Sequence, residues 1–106
     1  PDVQIVGVQP KDGHKIPGSR KWPEAYLPKI YTPEGVDEIL LVDRPTAEDH
    51  VQQLCREEGV FAGISSGGSC WGALQVAKTA PAGSVIVFIV CDRGDKYLSV
   101  PGLFEA

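Results

Sequence analysis

The chain has 106 residues, which suits one compact domain or one piece of a larger domain and leaves no room for two independent ones. Hydrophobic residues make up 42% and charged residues 23%, so a core is available and neither disorder nor a fibrous repeat is indicated. A net charge of −4, with Arg20-Lys21 as the only dense basic spot, argues against broad nucleic-acid binding, because neutralising phosphates requires clustered Lys and Arg.

The chain opens on a strand-like apolar run at residues 3–8. From Gln9 to Pro33 it is rich in Pro, Gly, His and Lys, and the weak apolar pattern there predicts a long irregular segment of the kind that is usually functional or disordered. A second strand is expected over residues 36–42. Thr46 then offers an N-cap, with Glu48 and Asp49 in the first turn where the helix dipole favours acids. Ala47, Val51, Leu54 and Cys55 recur at helical spacing, and Gly59 supplies the stop.

Residues 60–64 read as a short third strand that runs into the serine-glycine turn 65–69. A second helix is expected beyond it, with Cys70, Trp71, Leu74 and Ala77 on one side and Pro81 past its end. Residues 84–91 are almost wholly apolar and β-branched, which predicts a fourth strand buried on both faces of a parallel sheet. Alternation of strands and helices predicts an α/β fold, a mostly parallel open sheet with flanking helices. The apolar run is too short to span a bilayer. Cys55, Cys70 and Cys91 form no C-x-x-C pair and have no His at ligand spacing, so no metal site is expected, and an odd count without a signal peptide favours the reducing cytosol.

In such sheets ligands gather beyond the carboxyl ends of strands, which singles out the turn at Ser65 and the turn at Cys91-Asp92. Gly63-Ile64-Ser65-Ser66-Gly67 matches the G-x-S-x-G nucleophile elbow of hydrolases. That fold needs its acid and His after the serine, whereas His14 and His50 both precede Ser65, so the order fails. Two readings of the turn stay open: an anion cradle of backbone N–H groups opening a helix, and a helix start that only caps and packs. For Cys91 the plain reading is a buried strand-end thiol, and for Asp92 and Arg93 a surface ion pair.

Four segments together carry a resemblance. They are Gly7-Val8-Gln9-Pro10; Ile16-Pro17-Gly18 with Arg20-Lys21-Trp22-Pro23; Gly63-Ile64-Ser65-Ser66-Gly67-Gly68; and Cys91-Asp92-Arg93-Gly94-Asp95-Lys96-Tyr97-Leu98-Ser99. In content and order they are similar to the C-terminal region of cysteine synthases, and the basic-Trp segment and the Cys-Asp turn resemble the B type of that family. The resemblance implies a fold-type II enzyme dependent on pyridoxal 5'-phosphate, usually a cytoplasmic homodimer, making cysteine from O-acetylserine and sulfide, or S-sulfocysteine with thiosulfate. It implies that residues 1–106 are the C-terminal part of the catalytic domain, completed by the remainder of the polypeptide, which carries the Schiff-base lysine and the phosphate loop.

The resemblance further implies a role for each matching residue. Ser65 falls where the family has a serine that hydrogen-bonds the cofactor's pyridine nitrogen. Cys91 and Asp92 match residues lining the pocket near the cofactor and the entering sulfur donor; a thiol beside a carboxylate is a poor nucleophile, so Cys91 is expected to shape the pocket. Arg20, with Lys21, matches a basic loop at the entrance that attracts anionic donors. The alternative is a non-catalytic α/β module that binds a phosphorylated ligand or a partner at residues 65–69.

Overall fold

The computed structural model describes residues 3–17 and 33–104. Two strands, β1 (Val6–Pro10) and β2 (Glu38–Val42), pair in parallel with Val8 opposite Leu40 and Pro10 opposite Val42. Helices α1 (Arg44–Glu58) and α2 (Ile64–Ala77) follow, with short 3₁₀ turns at Pro33–Gly35 and Gly94–Tyr97. The architecture is α/β with a parallel sheet, in agreement with the fold class read from the alternation of elements.

Helix α1 keeps its expected buried stripe, Ala47, Val51 and Leu54. Its cap is not Thr46 but Asp43, whose Oδ1 accepts from the Thr46 N–H at 2.7 Å. Asp43 has the extended backbone that an N-cap needs, and Pro45 sits in the first turn, where a missing N–H costs nothing. Gly59 ends the helix in the left-handed conformation, φ 68°, as expected of a glycine stop.

Helix α2 begins earlier than expected, so the serine-glycine turn is its first turn and not a loop before it. Its buried residues are Ile64, Ser65, Ser66, Gly67, Gly68 and Gly72, while Trp71 is only partly buried and Leu74 is exposed. Small residues explain the choice: a Cβ on Gly67 would overlap the Ala47 carbonyl of α1, and one on Gly72 would come within 2.6 Å of Val8 Cγ2 in β1. Close backbone approach sets the face, and Leu74 is left 46% exposed. The core gathers Ile16, Val42, Ala47, Val51, Ile64 and Leu103, with Val8, Trp71, Tyr97, Val100 and Phe104 packed on it.

Two expected strands do not form among the described residues. Residues 60–64 contribute only an isolated antiparallel bridge, Ala62 with Arg93. Residues 84–91 join no strand among the described residues and are largely exposed, with Val85 88% and Val87 80% exposed. A parallel strand exists only through its neighbours' N–H and C=O groups, and the described residues offer none to this run. No described helix is long and apolar enough to cross a membrane.

Candidate functional site

The end of the 60–64 segment and the 91–94 segment are laced together. Gly94 N donates to the Phe61 carbonyl at 3.0 Å, and Gly63 N donates to the Asp92 carbonyl at 3.3 Å. Cys91 N donates to Ser66 Oγ at 2.9 Å. These bonds set the Cys91-Asp92 turn directly against the N-terminus of α2, where Ser65 is the second helical residue. The strand-end turns singled out in the sequence are therefore neighbours in space, although neither is preceded by a regular strand.

The two serines of the pair have different fates. Ser66 is fully buried, and its hydroxyl is taken by Cys91 N. Ser65 is 8% exposed, and its hydroxyl has no hydrogen-bond partner among the described residues. Successive helical residues point about 100° apart, so one serine faces the 91–94 segment while the other keeps its oxygen for something else. Ser65 also has ordinary helical geometry: among the described residues no non-glycine φ is positive, which removes the strained nucleophile elbow. The N–H groups of Ile64, Ser65 and Ser66 lie in the first helical turn, ahead of the first intrahelical donor, and no side chain caps them.

Asp92 is held by Tyr97, whose hydroxyl donates to Oδ2 at 2.6 Å. The hydrogen bond to the carboxylate, with burial and the charge of Asp92, pushes the Tyr97 phenol up to about 12. Oδ1 of Asp92 is buried and has no partner among the described residues. A Cβ on Gly63 would overlap both Asp92 Oδ1 and the Tyr97 ring, so only glycine fits beneath the pair. Asp92 makes no ion pair with Arg93; Arg93 bridges Asp95 at 3.1 Å on the surface instead.

Cys91 is exposed, not buried, with its thiol near the Ile89 carbonyl at 3.7 Å. Arg20 and Lys21 fall outside the described residues. The histidines, which drew no role from the sequence, serve local structure: His14 Nδ1 accepts from Arg44 N at 3.2 Å, and His50 lies 2.8 Å from the Thr46 carbonyl. No group of three or more metal-ligating side chains occurs among the described residues. Ser66 and Tyr97 went unnoticed in the sequence. Both lie in the segments that carry the resemblance, but nothing there assigned them a role, and the five-residue separation of Tyr97 from Asp92 belongs to no helical or strand period.

No family model matches the chain. Over 102 residues it is 51% identical to cysteine synthase B of Escherichia coli K12, and over 102 residues 49% identical to cysteine synthase B of Salmonella typhimurium. Each match covers 96% of this chain and 33% of the relative, so the chain spans about a third of the length of the curated relatives it matches. Among solved structures, a cysteine synthase from Entamoeba histolytica superposes with a TM-score of 0.83 at 30% identity, over 97% of this chain and 32% of that one.

Proposed function

We propose, from a chain homologous to one third of cysteine synthase B, that it forms the C-terminal part of the catalytic domain of a synthase that makes L-cysteine from O-acetylserine and sulfide, or S-sulfocysteine from thiosulfate. The reaction releases acetate and forms a carbon–sulfur bond at the same carbon. The protein is on this reading a cytoplasmic homodimer, and the remainder of the polypeptide supplies the lysine that anchors the cofactor.

The observation that carries the reading is the hydroxyl of Ser65, which has no partner among the described residues, beside the Cys91-Asp92 turn. It fits the ring nitrogen of pyridoxal 5'-phosphate: a small, neutral donor or acceptor at a helix start, with Gly67 and Gly68 adding no side-chain bulk nearby. When bound, the cofactor supplies an electron sink for loss of the α-proton and the β-leaving group. A hydroxyl does not hold a proton on the ring nitrogen as a carboxylate does, so Ser65 keeps that sink moderate and suited to elimination. Ser66 fixes the pocket wall by tying Cys91 to the helix that bears Ser65. Cys91 and Asp92 form that wall, and Arg20 with Lys21 draws anionic sulfur donors to the mouth.

Co-expression with the N-terminal two thirds of a cysteine synthase B tests this. The expected result is a soluble complex that binds pyridoxal phosphate and forms cysteine from O-acetylserine. A folded complex without cysteine formation, or a chain that binds phosphorylated ligands alone, favours the non-catalytic module.

A further inference from the structure

We infer that Tyr97 is a positioning residue for the pocket: its hydroxyl holds the Asp92 carboxylate in the one orientation that leaves Oδ1 free to accept a hydrogen bond from the sulfur donor. The inference rests on the reading of Asp92 as a pocket residue and deepens it.

Three features of the geometry support it. First, the two oxygens of Asp92 are treated unequally: Oδ2 accepts from Tyr97 at 2.6 Å, and Oδ1 is buried with no partner among the described residues. A buried carboxylate oxygen left unpaired is costly, and such groups persist where a ligand completes them. Second, the neighbouring cation is not used. Arg93 turns outward to Asp95, so among the described residues the carboxylate is oriented by a neutral phenol and has no ion-pair partner. A guanidinium in place of the phenol would occupy both oxygens at once.

Third, Tyr97 is itself held fast. The 3₁₀ turn Gly94–Tyr97 folds it back over Asp92, its ring packs on the core, and its carbonyl accepts from Val100 N at 3.0 Å. Gly63 makes room for the ring and for Oδ1 together. The raised phenol agrees with a donor that stays protonated throughout the working range of an enzyme. Oδ1 lies against Gly63, two residues before Ser65. Donors carrying S–H, such as hydrogen sulfide, can use it directly.

The test uses the full-length, cofactor-loaded protein and compares Tyr97→Phe, Asp92→Asn and the double variant. Tyr97→Phe keeps the ring and removes one charge-assisted hydrogen bond, so the sulfide-dependent step is expected to slow by about tenfold while acetate release is unchanged. The double variant is expected to lose no more than Asp92→Asn alone, because Tyr97 acts only through Asp92. Tyrosine absorbance gives a readout independent of turnover: the transition near pH 12 is expected to vanish in Tyr97→Phe and to move down in Asp92→Asn. If Asp92→Asn slows sulfur transfer but Tyr97→Phe does not, or if the two losses simply add, the positioning role is overturned and the pocket reading stands. If Asp92→Asn leaves sulfur transfer unchanged, both are overturned.

Discussion

Ser66 Oγ and the Cys91 backbone N–H meet at 2.9 Å across 25 residues of sequence, and this bond fastens the Cys91-Asp92 turn to the helix that carries Ser65. Replacing Ser66 with Ala removes the acceptor and leaves the N–H unpaired in a partly buried place. The expected cost is about 1–2 kcal/mol in urea unfolding, with faster hydrogen exchange at the Cys91 amide. An unchanged exchange rate at that amide contradicts the link.

Gly67 lies where α1 and α2 touch backbone to backbone, and a Cβ there overlaps the Ala47 carbonyl. A backbone atom cannot rotate aside as a long side chain can. Gly67→Ala is therefore expected to destabilise by about 3 kcal/mol, despite alanine's better helix propensity, whereas Gly59→Ala costs less because its penalty is the left-handed backbone alone. Thermal melts of the two variants give the order.

Asp43 titrates below the ordinary carboxylate value of 3.8, first because its side chain accepts from Thr46 and then because Lys11 lies 3.6 Å away. A lowered folded-state value means that its contribution is complete above pH 3.8 and is lost as the pH falls through that lower value. Asp43→Ala is expected to cost about 1 kcal/mol at neutral pH. Once the pH has fallen through that lowered value the variant and the parent should converge in stability; a gap that persists in acid places the capping energy elsewhere.

Residues 85–90 form an exposed, β-branched run, with Val87 80% and Ile89 67% exposed. Such runs seek other strand edges. The 106-residue chain expressed alone is expected to aggregate, and Val87→Lys to raise its soluble yield several-fold, as read by light scattering. An equally soluble parent chain contradicts this.

Much of the fold was legible because it rests on local rules. Ala47, Val51 and Leu54 repeat at helical spacing, Gly59 stops the helix, β2 lies inside the apolar run 36–42, and β1 overlaps the end of the run 3–8 but continues to Pro10. The failures share a cause, which is that tertiary contacts decide between local options. Thr46 and Asp43 are both good caps, and the chain path into α1 selects Asp43. Trp71 and Leu74 made the apolar stripe of α2, yet glycines pack closer and took the inside. Residues 84–91 have the composition of a strand, and composition cannot supply the partner that makes one.

At the site, Ser65, Cys91 and Asp92 were picked out by strand-end position and by resemblance to a family. What the sequence could not express is how they are joined. Ser66 reaches the turn through a helix phase of one residue, and Tyr97 reaches Asp92 through a 3₁₀ turn that no periodicity announces. Arg20 lies outside the described residues, so its place at the entrance stays a proposal resting on the resemblance.

The central claim is that the hydroxyl of Ser65 serves the cofactor while that of Ser66 serves the fold. Comparing Ser65→Ala with Ser66→Ala in the full-length protein loaded with pyridoxal phosphate tests it most directly, by cofactor absorbance and cysteine formation alongside the melting temperature. Ser65→Ala is expected to change the cofactor spectrum and lower turnover at least tenfold with an unchanged melt, and Ser66→Ala to lower the melt first. An unaltered spectrum and rate in Ser65→Ala, with the cofactor bound, would contradict the account.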